Sequence, residues 1–395
     1  MVYRKLRANA IFNGKEFLEQ HFVLITTEDG TIVDCISAFE VGDGIENFTG
    51  ILAPGFVNCH CHLELSHLSG VIQEKKGLID FVVNVVTQRH FPEEEILDAI
   101  SAAEGQMLQN GIVAVGDICN NTLTIPQKRK RRLAYHNFIE VSGWNPSKAG
   151  ERLAKSKSMY DDFCRLPDGA MRVSLSPHAP YSVSDLLWDL MMGFFDDGII
   201  TMHNQETAWE EELFKTGSGE ALRLYELLKI DNPEFRASGR SSLQTILPRL
   251  ANAKKIILVH NTFTSAEDLT ELGKNPIRSE SLSWCLCPNA NLYIENKIPP
   301  ISLLRNSNIN IVLGTDSLAS NHSLNILDEI KTLHHFHPEI PTNEFLQWGT
   351  LNGALALGME DRFGSFTQGK RPGINLLENI EGKKISDSTR VRRIL

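Results

Sequence analysis

The sequence predicts an α/β chain built as a (β/α)8 TIM-type barrel with a small β-sandwich domain beside it. Three observations carry this. Eight apolar, β-branched runs recur after about residue 52, most of them separated by segments of helical periodicity. The runs are nearly continuous in apolar residues, as parallel strands covered on both faces must be. The flanks differ in character, with short alternating stretches broken by turn signals.

Taken in order, residues 1–50 place FNGKEF, TEDGTIV and VGDG between short strands, which predicts part of the small domain. The first barrel run is ILAPGFVNCHCH (51–62), followed by IVAVGDI (112–118), LAYHNFIEV (133–141) and MRVSLSPH (171–178). GIITMHNQE (198–206), KIILVHN (255–261), SWCLCPN (283–289) and INIVLGTD (309–316) complete the eight. Segments such as EEEILDAISAAEGQMLQN and SVSDLLWDLMMGFF between them have helical periodicity. After about Arg362 the tail, with SFTQGKRPGINLL, returns to the flavour of the N-terminus. The expected division is therefore a composite β domain from 1–52 plus 362–395, and a barrel over 53–361. No Pro/Ser-rich linker interrupts the chain, so the two parts are expected to pack as a rigid unit.

Composition narrows the partners. The 395 residues hold 39 Lys+Arg against 49 Asp+Glu, a formal charge of −10, with 42% hydrophobic and 22% charged residues. Disorder is excluded as the main state, and an acidic chain lacks the electrostatic footprint of a nucleic-acid or anionic-membrane binder. A small-molecule partner is the default. MVYRKLRANAIFNG has no apolar core of signal-peptide length and no run is long enough to span a bilayer, so a soluble, cytoplasmic protein is expected. Seven cysteines, an odd number, argue for reduced thiols over a disulfide framework.

In a barrel, chemistry collects where strands end, and the polar residues that close these runs are unusually uniform. They are His60 and His62 on the first, His178 on the fourth, and His203 with Glu206 just beyond on the fifth. His260 closes the sixth and Asp316 the eighth. Strand alternation puts His60 and His62 on one face and turns Cys59 and Cys61 to the other, where thiols pack as small apolar groups. No second Cys or His group with zinc-ribbon spacing follows, and Cys285 and Cys287 are read as core. A lone buried His is more often a satisfied core residue than a ligand. Four imidazoles and a carboxylate gathered at one end of different strands reverse that balance, because a divalent cation accounts for all of them. Nitrogen plus one carboxylate suits Zn2+, with Fe2+ next.

The motifs APGFVNCHCHLELS, SPHAPYSVS, HNQET, ILVHN, CPNANL and VLGTDSLASNHSLNILDEI, with GSFTQGKRPGINLL, resemble the metal-dependent amidohydrolase superfamily over nearly the whole chain. They look most like its mononuclear branch, which holds guanine, cytosine, S-adenosylhomocysteine and aminofutalosine deaminases together with triazine chlorohydrolases. The resemblance implies His60, His62, His203 and Asp316 as metal ligands, Glu206 as proton shuttle, His260 beside the attacking water and His178 as a substrate contact. Binuclear members carry a modified Lys on the fourth strand; MRVSLSPH has none, so one metal is expected. The implied reaction is hydrolytic deamination of an aminated heterocycle. Hydroxide formed at the cation, with Asp316 taking the proton, attacks an amidine carbon and ammonia leaves. A purine-type base, nucleoside or nucleoside-like metabolite such as aminofutalosine is the expected substrate, and a homodimer the expected assembly. The alternatives are hydrolysis of another C–N or C–Cl bond in a related ring, or a catalytically silent scaffold.

Other features are read as structural. KRKRR (128–132) precedes the third strand and is expected to be a solvated connection. HHFH (334–337) is read as surface, and TGSGEA (216–221) as a loop over the fifth βα unit. Glu64 and Asp80 could accept hydrogen bonds from ribose hydroxyls, but both stay outside the expected site.

Overall fold

The computed structural model describes residues 2–166, 171–196, 198–232 and 234–395. Six short strands open the chain: β1 (Tyr3–Arg7), β2 (Ala10–Ile11), β3 (Phe22–Thr27), β4 (Ile32–Ser37), β5 (Ile45–Asn47) and β6 (Ile51–Pro54). The eight predicted runs follow as β7 (Phe56–Cys61), β8 (Ile112–Cys119), β9 (Ala134–Val141), β10 (Met171–Pro177), β11 (Ile199–Asn204), β12 (Lys255–His260), β13 (Leu282–Leu286) and β14 (Asn310–Leu313). Two more, β15 (Ile374–Glu378) and β16 (Arg390–Arg393), close it.

The eight runs form two four-stranded parallel sheets, β10-β9-β8-β7 and β11-β12-β13-β14, rather than one continuous ladder. Hydrogen bonds cross both seams between them. His203 N–H donates to the His178 carbonyl at 2.9 Å, joining the end of β10 to β11. Thr315 and Asp316 N–H both donate to the His60 carbonyl at 3.0 Å, and Cys61 and Asp316 form a parallel bridge. Those seams bring the polar ends of the strands to one place. The terminal strands form two further sheets, β4-β3-β1-β5 and β16-β15-β6-β2, the second containing strands from both ends of the chain.

The predicted first run divides at Gly55. Residues 51–54 pair with β15 and β2, whereas 56–61 pair with β8. A side chain at Gly55 would collide with Val113 and come within 2.7 Å of the Pro372 carbonyl oxygen, so only glycine lets the chain change sheets so tightly.

Helices fill the connections: α1 (Gly77–Gln88) and α2 (Glu93–Gln109) between β7 and β8, α3 (Ala149–Cys164) between β9 and β10, α4 (Ala208–Thr216) and α5 (Ala221–Leu228) between β11 and β12, and α6 (Ile326–Phe336) after β14. Helix α2 shows why they form. Pro92 precedes three glutamates in the first turn, where the helix dipole favours negative charge, and Ile96, Ile100, Ala103 and Met107 make a buried stripe at helical spacing. Helix α4 stops at Gly217, whose φ of 75° is the left-handed conformation glycine adopts freely.

Two expectations need correction. Lys128, the first residue of the basic run, is not solvated: it is fully buried, with Nζ 2.5 Å from Asp117 Oδ2 on β8 and 4.9 Å from the ring centres of Tyr135 and Phe163. Arg129 to Arg132 are exposed as expected. The alternation drawn for NCHCH holds only in part: His60 and His62 both reach Asp316 Oδ1 and both thiols are buried among apolar groups, but the two thiols do not share one cluster. The β7–β8 register slips between Asn58 and Cys61. Cys59 packs with Val57, Val259, Cys285 and Cys287, while Cys61 joins Phe56 and Leu63 in a different cluster. Such irregularities break the period of two on which the parity argument rested.

Candidate active site

Four of the predicted residues meet where the sheets' seams converge. His62 Nε2 lies 3.3 Å from His203 Nε2, and Asp316 Oδ1 lies 3.4 Å from both His60 Nε2 and His62 Nε2. One donor atom from each of His60, His62 and His203 falls within a 4.8 Å span. Four ligands arranged tetrahedrally at zinc's usual 2.0–2.1 Å stand about 3.3 Å apart, from the geometry of a tetrahedron. Three of the spacings, His62 to His203 and Asp316 to each of His60 and His62, match that edge.

The protonation pattern agrees. His203 Nδ1–H donates to the His178 carbonyl at 2.8 Å, which leaves the Nε2 lone pair facing His62. Neither ring nitrogen of the fully buried His60 has a hydrogen-bond partner. Burial lowers the pKa of His62, and that of His203 further, with the neighbouring imidazoles adding to the effect, so both rings are neutral at pH 7, the form that could hold a metal. Burial alone would raise the Asp316 carboxyl, but His60, His62 and His260 around it hold it far below the usual carboxylate range. Lone pairs and a carboxylate facing one another without donors are what a cation resolves.

Backbone strain aims several of these groups. His260 and Asp316 have φ of 73° and 58°, uncommon for residues with side chains, at the ends of β12 and β14. Asp316 Oδ2 accepts from Ser320 Oγ at 2.5 Å. Asn291 Nδ2 donates to His260 Nδ1 at 3.1 Å, which leaves His260 Nε2–H pointing at Glu206 Oε1, 3.6 Å away.

Glu206 is set by its neighbour. Gln205, at φ 45°, is pinned on every side: its N–H donates to Glu210, its Nε2 to Glu211 and Asp268, and its Oε1 accepts from Thr264. The turn so fixed presents Glu206 to the pocket. Burial, then the negative charge of Asp316, raises the Glu206 carboxyl well above its ordinary pKa, which favours its protonated form.

These groups line a cavity of about 200 Å3. A larger hollow of about 790 Å3 opens at the opposite ends of β12 to β14, beside Lys255 and Asn310, away from the imidazoles. His178 is at the cavity wall, its Nδ1 2.7 Å from Ser182 Oγ. Glu64 also lines it, but its Oε2 accepts from the N–H groups of Asn120 and Asn121, and burial pushes its carboxyl up to about 8. Asp80 is turned away into an ion pair with Arg223 at 2.5 Å. Sequence reasoning missed Glu140, which ends β9 at the cavity with Oε2 accepting from Asn120 Nδ2 at 2.7 Å. Its Oε1, 3.6 Å from His203 Nδ1, accepts no hydrogen bond from any described residue. The signal existed, since Glu140 closes an apolar run just as the histidines do.

The amidohydrolase family model matches residues 51–391. A 5-methylthioadenosine/S-adenosylhomocysteine deaminase of Teredinibacter turnerae is 25% identical over 339 residues, covering 82% of this chain and 71% of its own. A Helicobacter pylori aminofutalosine deaminase, solved with methylthio-coformycin, superimposes at TM-score 0.81 with 21% identity over 99% of this chain and 100% of its own. An adenosine deaminase of Xanthomonas campestris with bound zinc does so at TM-score 0.71 and 21% identity, over 95% and 84%.

Proposed function

The chain belongs to the amidohydrolase family, and on that premise we propose that it is a metal-dependent aminohydrolase that replaces the exocyclic amino group of a purine-type ring with oxygen. The substrate is a base, nucleoside or nucleoside-like metabolite of the kind that aminofutalosine represents. The observation that carries the reading is Glu206 on the cavity wall beside His260 and a set of metal-type donors, three of whose spacings are 3.3–3.4 Å.

His60, His62, His203 and Asp316 would hold one divalent cation, zinc first and ferrous iron second, and when bound it would supply water ionised near pH 7 instead of about 16. The remaining chemistry falls to the chain. Glu206 gives its proton to a ring nitrogen of the amidine, which makes the adjacent carbon electrophilic. Asp316, steadied at Oδ2 by Ser320, takes the proton that the attacking water loses. His260 Nε2–H donates to the incoming oxygen; Glu206, now ionised, takes the proton of the added hydroxyl as the carbonyl forms and delivers it to the departing nitrogen, and the proton held by Asp316 then restores Glu206. Water adds, ammonia leaves and the ring carbonyl remains. His178 contacts the substrate from the wall.

The reading extends to architecture. The two parallel sheets are taken as one (β/α)8 barrel over 53–361, supported by hydrogen bonds across both seams, and 1–52 with 362–395 as a companion β-sandwich. A small-molecule partner, a cytoplasmic setting and a homodimer complete it. No helix among the described residues is long and apolar enough to cross a membrane.

Metal analysis together with an ammonia-release panel of adenosine, 5-methylthioadenosine, S-adenosylhomocysteine, aminofutalosine, guanine and cytosine tests the proposal. Stoichiometric zinc or iron and turnover of at least one purine compound are expected. Glu206→Gln should keep its metal and lose about 100- to 10,000-fold in kcat, the usual contribution of a positioned acid. Full activity in that variant would overturn the shuttle role, and a metal-free, chelator-insensitive protein would overturn the site.

A further inference from the structure

Five arginines meet in a hollow of about 410 Å3 at the starts of β8 and β9, the strand ends opposite the imidazoles. Arg131 and Arg132 come from the basic run before β9, Arg362 and Arg371 from the segment leading to β15, and Arg393 from β16. Buried Val113, Leu133 and Phe363 line the hollow with them. Although the chain carries a formal charge of −10, the acidic side chains lining this hollow are Glu28 and Asp29 alone.

The protein leaves these cations short of partners. Arg371 Nη1 lies 3.6 Å from Asp29 Oδ2, and Arg132 Nη1 lies 3.5 Å from Glu104 Oε2, both longer than a close charge-assisted hydrogen bond. Asp29 Oδ1 is committed to its own turn, accepting from Thr27 Oγ1 and from the N–H and hydroxyl of Thr31. Arg393 Nε donates to the Leu395 backbone oxygen at 3.1 Å. The guanidiniums of Arg131 and Arg362 make no hydrogen bond or ion pair with any described residue, and Arg362 lies over the ring of its neighbour Phe363. The cations also oppose one another. Burial, then the charge of Arg371, lowers the pKa of Arg362; burial, then Arg132 and Arg371, lowers that of Arg393. Arginine stays ionised in proteins all the same, so like charges face each other here without a compensating anion from the chain.

A phosphate group carries a charge of about −1.5 to −2 and three acceptor oxygens, which guanidinium forks match in geometry as well as charge. Two unpaired arginines with two loosely paired ones beside them exceed what one phosphate neutralises. An extended polyanion needs a continuous basic track, whereas these arginines converge from separate segments on one concave site that also presents Glu28 and Asp29.

We propose that this hollow binds a small ligand through a diphosphate group, held by Arg131 and Arg362 with Arg371 and Arg393 beside them. Bound there, the ligand ties the basic run before β9 to the segments that carry β15 and β16. The site shares no residue with the imidazole cavity, so it stands whichever ring is deaminated.

Calorimetric titration of inorganic pyrophosphate at fixed ionic strength, with the metal content measured before and after, tests it. Saturable one-to-one binding and a rise in Tm with ligand concentration are expected, with inorganic phosphate about tenfold weaker. The double variant Arg131→Gln/Arg362→Gln should weaken pyrophosphate by about tenfold or more and lose the ligand-induced rise. Without ligand it should be at least as stable as the unmodified chain, since the exchange relieves repulsion and breaks no bond. Arg129→Gln, an exposed arginine of the same run outside the hollow, should change neither. No saturation by about 1 mM, binding that survives the double variant, or an equal loss in Arg129→Gln overturns the site. Phosphate binding as tightly as pyrophosphate overturns the diphosphate assignment. A single-stranded oligonucleotide that binds through Arg131 and Arg362 and is not displaced by pyrophosphate overturns the compact ligand.

Discussion

Replacing Lys128 with Met tests whether the buried cation is structural. Its ammonium is fully buried, touches Asp117 Oδ2 at 2.5 Å and Cys119 Sγ at 3.4 Å, and lies over two aromatic rings. Asp117 is as deeply buried, and its Oδ1 accepts from the Leu63 N–H just after His62. Met keeps the length of the stem and removes the charge, leaving Asp117 as an unpaired buried anion. Breaking such a pair costs about 3–5 kcal/mol, whereas the same change in a solvated run costs within about 0.5 kcal/mol. For 395 residues, an unfolding entropy of about 2.1 cal/mol/K per residue converts 4 kcal/mol into a fall in Tm of about 5 °C. Adding Asp117→Asn removes the stranded charge and keeps an oxygen for Leu63, so the double variant should recover about 2 kcal/mol or more of the loss. Urea denaturation at fixed metal concentration, run as a four-member cycle, measures both quantities. A single-variant loss below about 1 kcal/mol, or strictly additive effects, would refute the buried-pair account.

Stability should fall as pH rises from 6.5 to 8. Burial pushes the carboxyls of Glu64, Glu210 and Glu329 up to about 8, so the folded chain keeps protons that unfolded carboxyls release near 4.5. Each contributes a slope of up to about 1.4 kcal/mol per pH unit across that window. Burial holds His136 and His260 down at about 3, which favours folding as pH rises toward 6.5 and adds nothing above it. Denaturation midpoints at pH 6.5 and 8 check the sign, and Glu329→Gln should flatten the slope; a midpoint that rises with pH contradicts it. Gly55→Ala should cost about 1–3 kcal/mol through collision with Val113 and the Pro372 carbonyl. Gly105→Ala, with open space in helix α2, should stabilise by about 0.5–1 kcal/mol, and equal effects in the two denaturation curves would contradict the packing argument.

What the sequence made legible has a common physical origin. Apolar runs report burial directly, so six of the eight parallel strands fall within the predicted segments, β8 and β13 overrun theirs by one residue, and all but β7 start within one residue of the predicted start. A polar residue ending such a run is costly unless something receives it, which is why His60, His62, His203, His260 and Asp316 could be picked out and do meet in space. Glu140 obeys the same rule more faintly, since it is a single carboxylate and buried Val141 follows it in the same strand. Lys128 and Gly55 were illegible for another reason. Each depends on a partner distant in sequence or on the far side of a turn: Asp117 on β8 for one, Val113 and Pro372 for the other. Nothing in KRKRR distinguishes its first lysine from the four residues that follow.

The cysteines show where local rules stop working at a functional centre. Parity is reliable only while pairing is regular, and β7 loses regular register between Asn58 and Cys61, the segment that must deliver two imidazoles to one point. The His60 carbonyl is at the same time taken by the N–H groups of Thr315 and Asp316, and the His60 Cβ crowds Gly314, where a side chain would also meet Cys285 and Cys287. The irregularity is thus tied to the seam that brings Asp316 within 3.4 Å of both rings. The register shift separates the two thiols without parting the two imidazoles, and it falls on the same residues, around His60, that carry the seam hydrogen bonds to Thr315 and Asp316.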